Sequence, residues 1–156
     1  PALRKGAGMP GYRSRQVAMA CAGRVGGEAS GEILSLGLKD GNVNVRVAAA
    51  GQLSVNPPES ARDAVLSALV RSTETDVREM LAFSAGYFPG ERTVAILRSI
   101  AAGKEVLASN ARMALARLGD KAGREALVAD LVPEVSKDRI YECRIVLNWS
   151  SSHHEP

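Results

Sequence analysis

The sequence predicts an all-α protein, a right-handed α-solenoid of about four helix pairs followed by a C-terminal helix. Three observations lead there. Alanine and glycine are abundant while aromatics make up only 4% of the 156 residues, which suits close-packed helices better than a β-sandwich. Several columns of residues recur with a common period near 31. Clusters of Gly, Pro, Asn and Asp fall between the periodic stretches, where helices should stop.

The first column is arginine. Arg46 follows Arg15 by 31 residues, Arg78 follows by 32 more, and Arg139 lies 61 beyond that, about two periods. The intermediate position holds Ala108, although the pattern after it still aligns. Three residues past each anchor stand Ala18, Ala49, Leu81 and Ala111; seven past stand Ala22, Leu53, Ala85 and Leu115. Offsets of three and seven share one helical face, so each first helix presents a packing face of mainly small residues. A further column, on the second helices, contains Ile33-Leu34, Val65-Leu66, Ile96-Leu97 and Leu127-Val128.

In chain order, these patterns predict helices near 12–25, 30–38, 43–54, 59–71, 75–86, 91–102, 106–118, 121–131 and 137–148. They group into repeats at about 11–39, 42–71, 75–103 and 105–132, with a final helix at 137–148. One domain spans 1–150, and 151–156 reads as a disordered tail. Gly26-Gly27, Asn56-Pro57-Pro58, Phe88-Pro89-Gly90 and Gly119-Asp120 divide the two helices within a pair. Asn42 and Thr73 are the expected N-caps, Thr73 with Asp76 as a capping box.

Three stretches carry a family resemblance: "LKDGNVNVRVAAAGQL" (38–53), "TDVREMLAFSAG" (75–86) and "ALARLGDKAGREALVADL" (114–131). They resemble the HEAT-like repeats of the phycobilisome-lyase type, whose repeat reads roughly L-x-D-x-D-x-x-V-R-x-A-A-x-A-L-G-x-L-G-D. The resemblance covers about residues 11–148. It departs at Ala108 and at Val55-Asn56-Pro57, which stands where L-G-D is usual. It implies a solenoid whose second helices line the inner, concave surface. By itself it also implies a lyase-like accessory subunit as an alternative role.

The arginine ladder of Arg15, Arg46, Arg78 and Arg139 reads as structural, each guanidinium reaching an acid or carbonyl at the preceding turn. Asp40, Glu74, Asp76 and Asp138 are the expected acids. Partner binding is expected instead on the second helices, at Arg62, Arg92, Arg98 and Arg124. Tyr87, in the turn beside Pro89-Gly90, is a further anchor candidate; together with Phe88 it can equally plug a seam between repeats. The net charge of +3 and pI near 9.1 leave nucleic-acid binding as a weaker alternative, since basic residues are scattered among acids and no aromatic stacking residues accompany them.

No catalytic constellation is recognisable. His153 and His154, beside Glu155, are the only histidines and sit in the polar tail, so no metal and no cofactor is expected. Cys21 and Cys143 read as two buried reduced thiols, which fits a cytoplasmic setting. No apolar run is long enough to span a membrane, and the basic N-terminal stretch is too interrupted for a signal peptide. The expected function is a non-enzymatic scaffold for a protein or peptide partner. The chain is expected to be a monomer, or a weak homodimer through the final helix, whose Ile140, Val146 and Leu147 lack a covering helix.

Overall fold

The computed structural model describes residues 2–55 and 57–129, and every regular element among them is helical. The expected helix at 137–148, with Arg139 and Cys143, and the tail with its histidines lie outside the described residues. Contacts gather the chain into two compact units, Pro1–Ala85 and Gly86–Pro156.

The first unit holds α1 (Ala2–Ala7), α2 (Tyr12–Val25), α3 (Gly27–Gly37), α4 (Val43–Leu53), a 3₁₀ turn at Glu59–Ala61, α5 (Arg62–Arg71) and α6 (Thr75–Ala85). Helix α2 packs along α4 and α4 along α6, so the first helices of successive pairs lie side by side. Helix α3 packs on α2, α4 and the 3₁₀ turn, and α5 packs on α6. The predicted small-residue face is the core. Ala18, Ala22, Ala49, Leu53, Leu81 and Ala85 are all buried, joined by Leu34, Val65, Leu66 and Leu69 from the second helices. Full burial of each Leu contributes about 1.5–3 kcal/mol.

Local chemistry explains the helix limits. Asn42 caps α4 as expected, its side chain accepting from the Asn44 N–H at 3.0 Å. The helix ends at Leu53, shortly before Pro57 and Pro58, which forbid continuation. Other details differ from expectation. Helix α6 starts at Thr75 as expected, but Glu74, not Thr73, supplies the carbonyl that accepts the Arg78 N–H. Helix α3 starts at Gly27 rather than 30, because Gly26 and Gly27, at φ 69° and 73°, make the turn in two residues that a side chain would strain. A six-residue helix, α1, precedes the expected first one; it carries no buried residue and lies where Gly6 approaches Ala18.

Small residues also set spacing. A Cβ at Gly37 would strike the Met19 Sδ and stand 2.8 Å from the Ala49 Cβ, so α3 sits against α2 and α4 only without a side chain there. Ser84 on α6 donates from Oγ to the Leu53 carbonyl at 2.9 Å, a buried bond that ties α6 to the end of α4.

The second unit holds α7 (Glu91–Ala101), α8 (Val106–Arg117) and α9 (Lys121–Ala129), with α8 packed on both others. Its α8–α9 turn shows what the Leu-Gly-Asp signature does. Gly119, at φ 79°, donates to the Ala116 carbonyl while the Asp120 N–H donates to that of Leu115. That is a Schellman motif closing α8. Asp120 then caps α9, its Oδ1 accepting from the Gly123 N–H at 2.7 Å. No described helix is long and apolar enough to cross a membrane.

Cys21 corrects an expectation: it is exposed. The core side of α2 is set by Ala18, Met19 and Ala22. At about 100° per residue, Cys21 falls roughly 60° outside that arc. An apolar run had concealed which face each residue takes.

Candidate functional site

The arginine ladder forms, with a refinement of direction. Arg15, Arg46 and Arg78 each take a carbonyl from the chain before their own helix, and the first two also take a carboxylate from the turn ahead. Arg15 on α2 donates to the Met9 and Pro10 carbonyls at 3.0 and 2.9 Å. Its other face forks onto Asp40, Nε to Oδ2 at 2.7 Å and Nη2 to Oδ1 at 2.9 Å. Arg46 on α4 donates to the Asp40 carbonyl at 2.7 Å and pairs with the Glu74 carboxylate. Arg78 on α6 donates to the Leu69 carbonyl at 3.3 Å. Asp40 is therefore a junction, its side chain held by one rung and its backbone by the next. Asp76, an expected acid, stands exposed in the first turn of α6.

These contacts set the ionisation of the site. The Arg15 hydrogen bond holds the Asp40 carboxyl below its ordinary range against the opposing effect of burial, with help from the Asn42 N–H. The Arg46 hydrogen bond likewise lowers Glu74. The Arg15 guanidinium is correspondingly raised by its bond to Asp40.

Where the ladder seemed to lose its arginine, another replaces it. Ala108 is buried in α8, and Arg112, one turn further on, donates to the Ala101 and Gly103 carbonyls at 2.5 and 3.0 Å. Arg112 is only 8% exposed. A search for a fixed column misses it; the signal was an Arg four residues on, along the same helical side.

The expected partner-binding residues are dispersed. Arg62, the first residue of α5, pairs with Glu59 of the preceding 3₁₀ turn. Arg92 is exposed on the first turn of α7. Arg98 binds Asp120, with Nε and Nη2 at 3.1 and 2.5 Å from Oδ2, which ties α7 to the cap of α9. Burial pushes the Asp120 carboxyl up, but the Gly123 N–H and Arg98 outweigh it and hold it below the ordinary range. The Arg124 Nε is enclosed without a hydrogen-bond partner among the described residues. Tyr87 is 39% exposed with the Arg117 guanidinium 4.3 Å from its ring centroid, whereas its neighbour Phe88 is buried. Burial lowers the Arg117 pKa.

The ladder also borders a cleft of about 400 Å³ in the first unit, lined by Lys39, Asp40, Arg46, Arg71, Thr73 and Glu74 among others. The C-terminal ends of α3 and α5 meet there. A second, more apolar cleft of about 590 Å³ lies by Leu3, Val25, Ala29 and Ile33, with the 2.7 Å Arg4–Glu32 pair nearby. No family model matches the chain, and no curated protein is significantly similar to it.

Proposed function

We propose that the chain is a non-enzymatic scaffold, a short HEAT-like α-solenoid that presents its second helices to a protein or peptide partner. The observation that supports this best is the tethered side-by-side packing of α2, α4 and α6, which commits the first helices to one another. In the first unit α5 carries the half-buried Arg62, and in the second α7 carries the exposed Arg92, while Arg124 on α9 has its Nε enclosed. Arg98 is withdrawn from partner binding, because its role is to hold Asp120.

Crosslinking capture with the full chain as bait tests the reading. The expected result is a specific partner whose capture falls on Arg62→Glu or on Arg92→Glu while the melting temperature is kept. Capture unchanged in both variants, or the recovery of nucleic acid in place of a protein, overturns it.

A further inference from the structure

We infer that the cleft bordered by Lys39 and Arg71 is a binding site for a phosphate monoester. This goes beyond the scaffold reading and stands without it. The inference rests on which of the cleft's charges are already spent. Asp40 and Glu74, the carboxylates in the lining, are both engaged by guanidiniums, Asp40 by Arg15 and Glu74 by Arg46. The helix ends that reach the cleft are C-terminal, each worth about half a negative charge. Arg46 covers one carbonyl there, that of Asp40.

Lys39 and Arg71 remain. Neither has a carboxylate partner among the described residues; Arg71 makes only a long 3.3 Å bond back to the Ser67 carbonyl of its own helix. Both side chains belong to exposed residues. With Asp40 and Glu74 neutralised by Arg15 and Arg46, Lys39 and Arg71 are the two lining cations left, and they outweigh the two helix ends by about one charge. A phosphate monoester carries about −1.5 to −2 near neutral pH and has oxygens enough to engage both cations at once, whereas a single carboxylate brings one charge. Ser72 and Thr73 line the same cleft, and their hydroxyls supply neutral donors beside the two cations. The volume is at the small end of ligand pockets, large enough for the phosphate and the group that bears it.

The shared chemistry has two sources, a free phosphorylated small molecule and a phosphorylated residue of another protein. Titration of the full chain with phenyl phosphate, followed by amide NMR, tests the site directly. Saturable shifts are expected at Lys39, Ser72 and Thr73. Affinity should fall about tenfold or more in Lys39→Glu and in Arg71→Glu. The neutral pair Lys39→Met and Arg71→Gln should lose binding in the same direction with the fold intact by circular dichroism. Affinity should also fall as pH drops through about 6, where the monoester loses its second charge. A phosphoserine peptide that binds tenfold more tightly than phenyl phosphate assigns the protein-borne source; equal binding assigns the free one. The inference is overturned if no saturable shift appears at those amides, if the variants bind as well as the parent, or if succinate binds as tightly as phenyl phosphate. Partner capture that persists while phosphate binding fails removes this inference alone; loss of partner capture leaves the phosphate result to stand by itself.

Discussion

Asp120 shows how much one short side chain can hold. One carboxylate oxygen caps α9 and the other receives Arg98, while its backbone N–H completes the turn that ends α8. Asp120→Ala should destabilise by about 1–2 kcal/mol, chiefly through the lost cap. Asp120→Asn, which still caps, should cost less, and Arg98→Ala less than about 1 kcal/mol because the Arg98 side chain is 61% exposed. Urea unfolding of the three variants checks the order. The carboxylates of Asp40, Glu74 and Asp120 share a second consequence. All three have folded-state pKa values below their ordinary ones. The unfolded chain therefore binds more protons in acid, so the stability they provide is present above about pH 4 and is lost as pH falls through the lowered values. The urea midpoint should drop between pH 7 and pH 3. Glu74→Gln should start lower at pH 7 and lose less over that interval.

At the scale of the element, α8 carries the plainest test of the tethering. Arg112 is nearly buried and satisfies two carbonyls at the end of α7. Arg112→Met, similar in length and apolar, should cost about 1.5–3 kcal/mol by stranding those carbonyls. If thermal unfolding moves by no more than it does for a solvent-facing change such as Lys121→Met, the rung has no structural weight. Gly37→Ala should cost about 1–3 kcal/mol through overpacking: the Met19 side chain can swing away, but the Ala49 Cβ on the neighbouring helix cannot. Differential scanning fluorimetry reads that change. Helix positions were legible in the sequence because punctuation and periodicity agreed: Asn42 at the start of α4 and Gly119 past the end of α8 each act as their residue type dictates. Legibility failed where one residue type serves two geometries. Cys21 sat in an apolar run without a stated face, and Gly27 was read as part of a break although it begins α3. Helix α1 escaped because its six residues, Ala2–Ala7, are too few to show a period.

At the scale of the whole molecule, the site was less legible than the fold. The arginine ladder could be found by spacing, but its acids could not be assigned, since only the packing of α2 on α4 brings Asp40 to Arg15. Lys39 and Arg71 lie 32 residues apart, about one period, yet scattered charge gave no hint that they would border one cleft. The scaffold reading predicts that charge reversal at Arg62 or Arg92 weakens partner capture with little change in melting temperature. The same reversal at Arg98 should instead lower the melting temperature, since Asp120 depends on it. The junction at Asp40 has a consequence for how such a chain can lengthen. Each joint is directional: an arginine looks forward to the next acid, and a carbonyl behind that acid accepts the following arginine. A duplicated stretch from one acid to the next, Asp40 to Glu74, would bring both halves of a joint with it. Copies could be added or removed in whole units with no new pairing to invent, so growth in length is chemically simpler for this chain than change in sequence at any one joint.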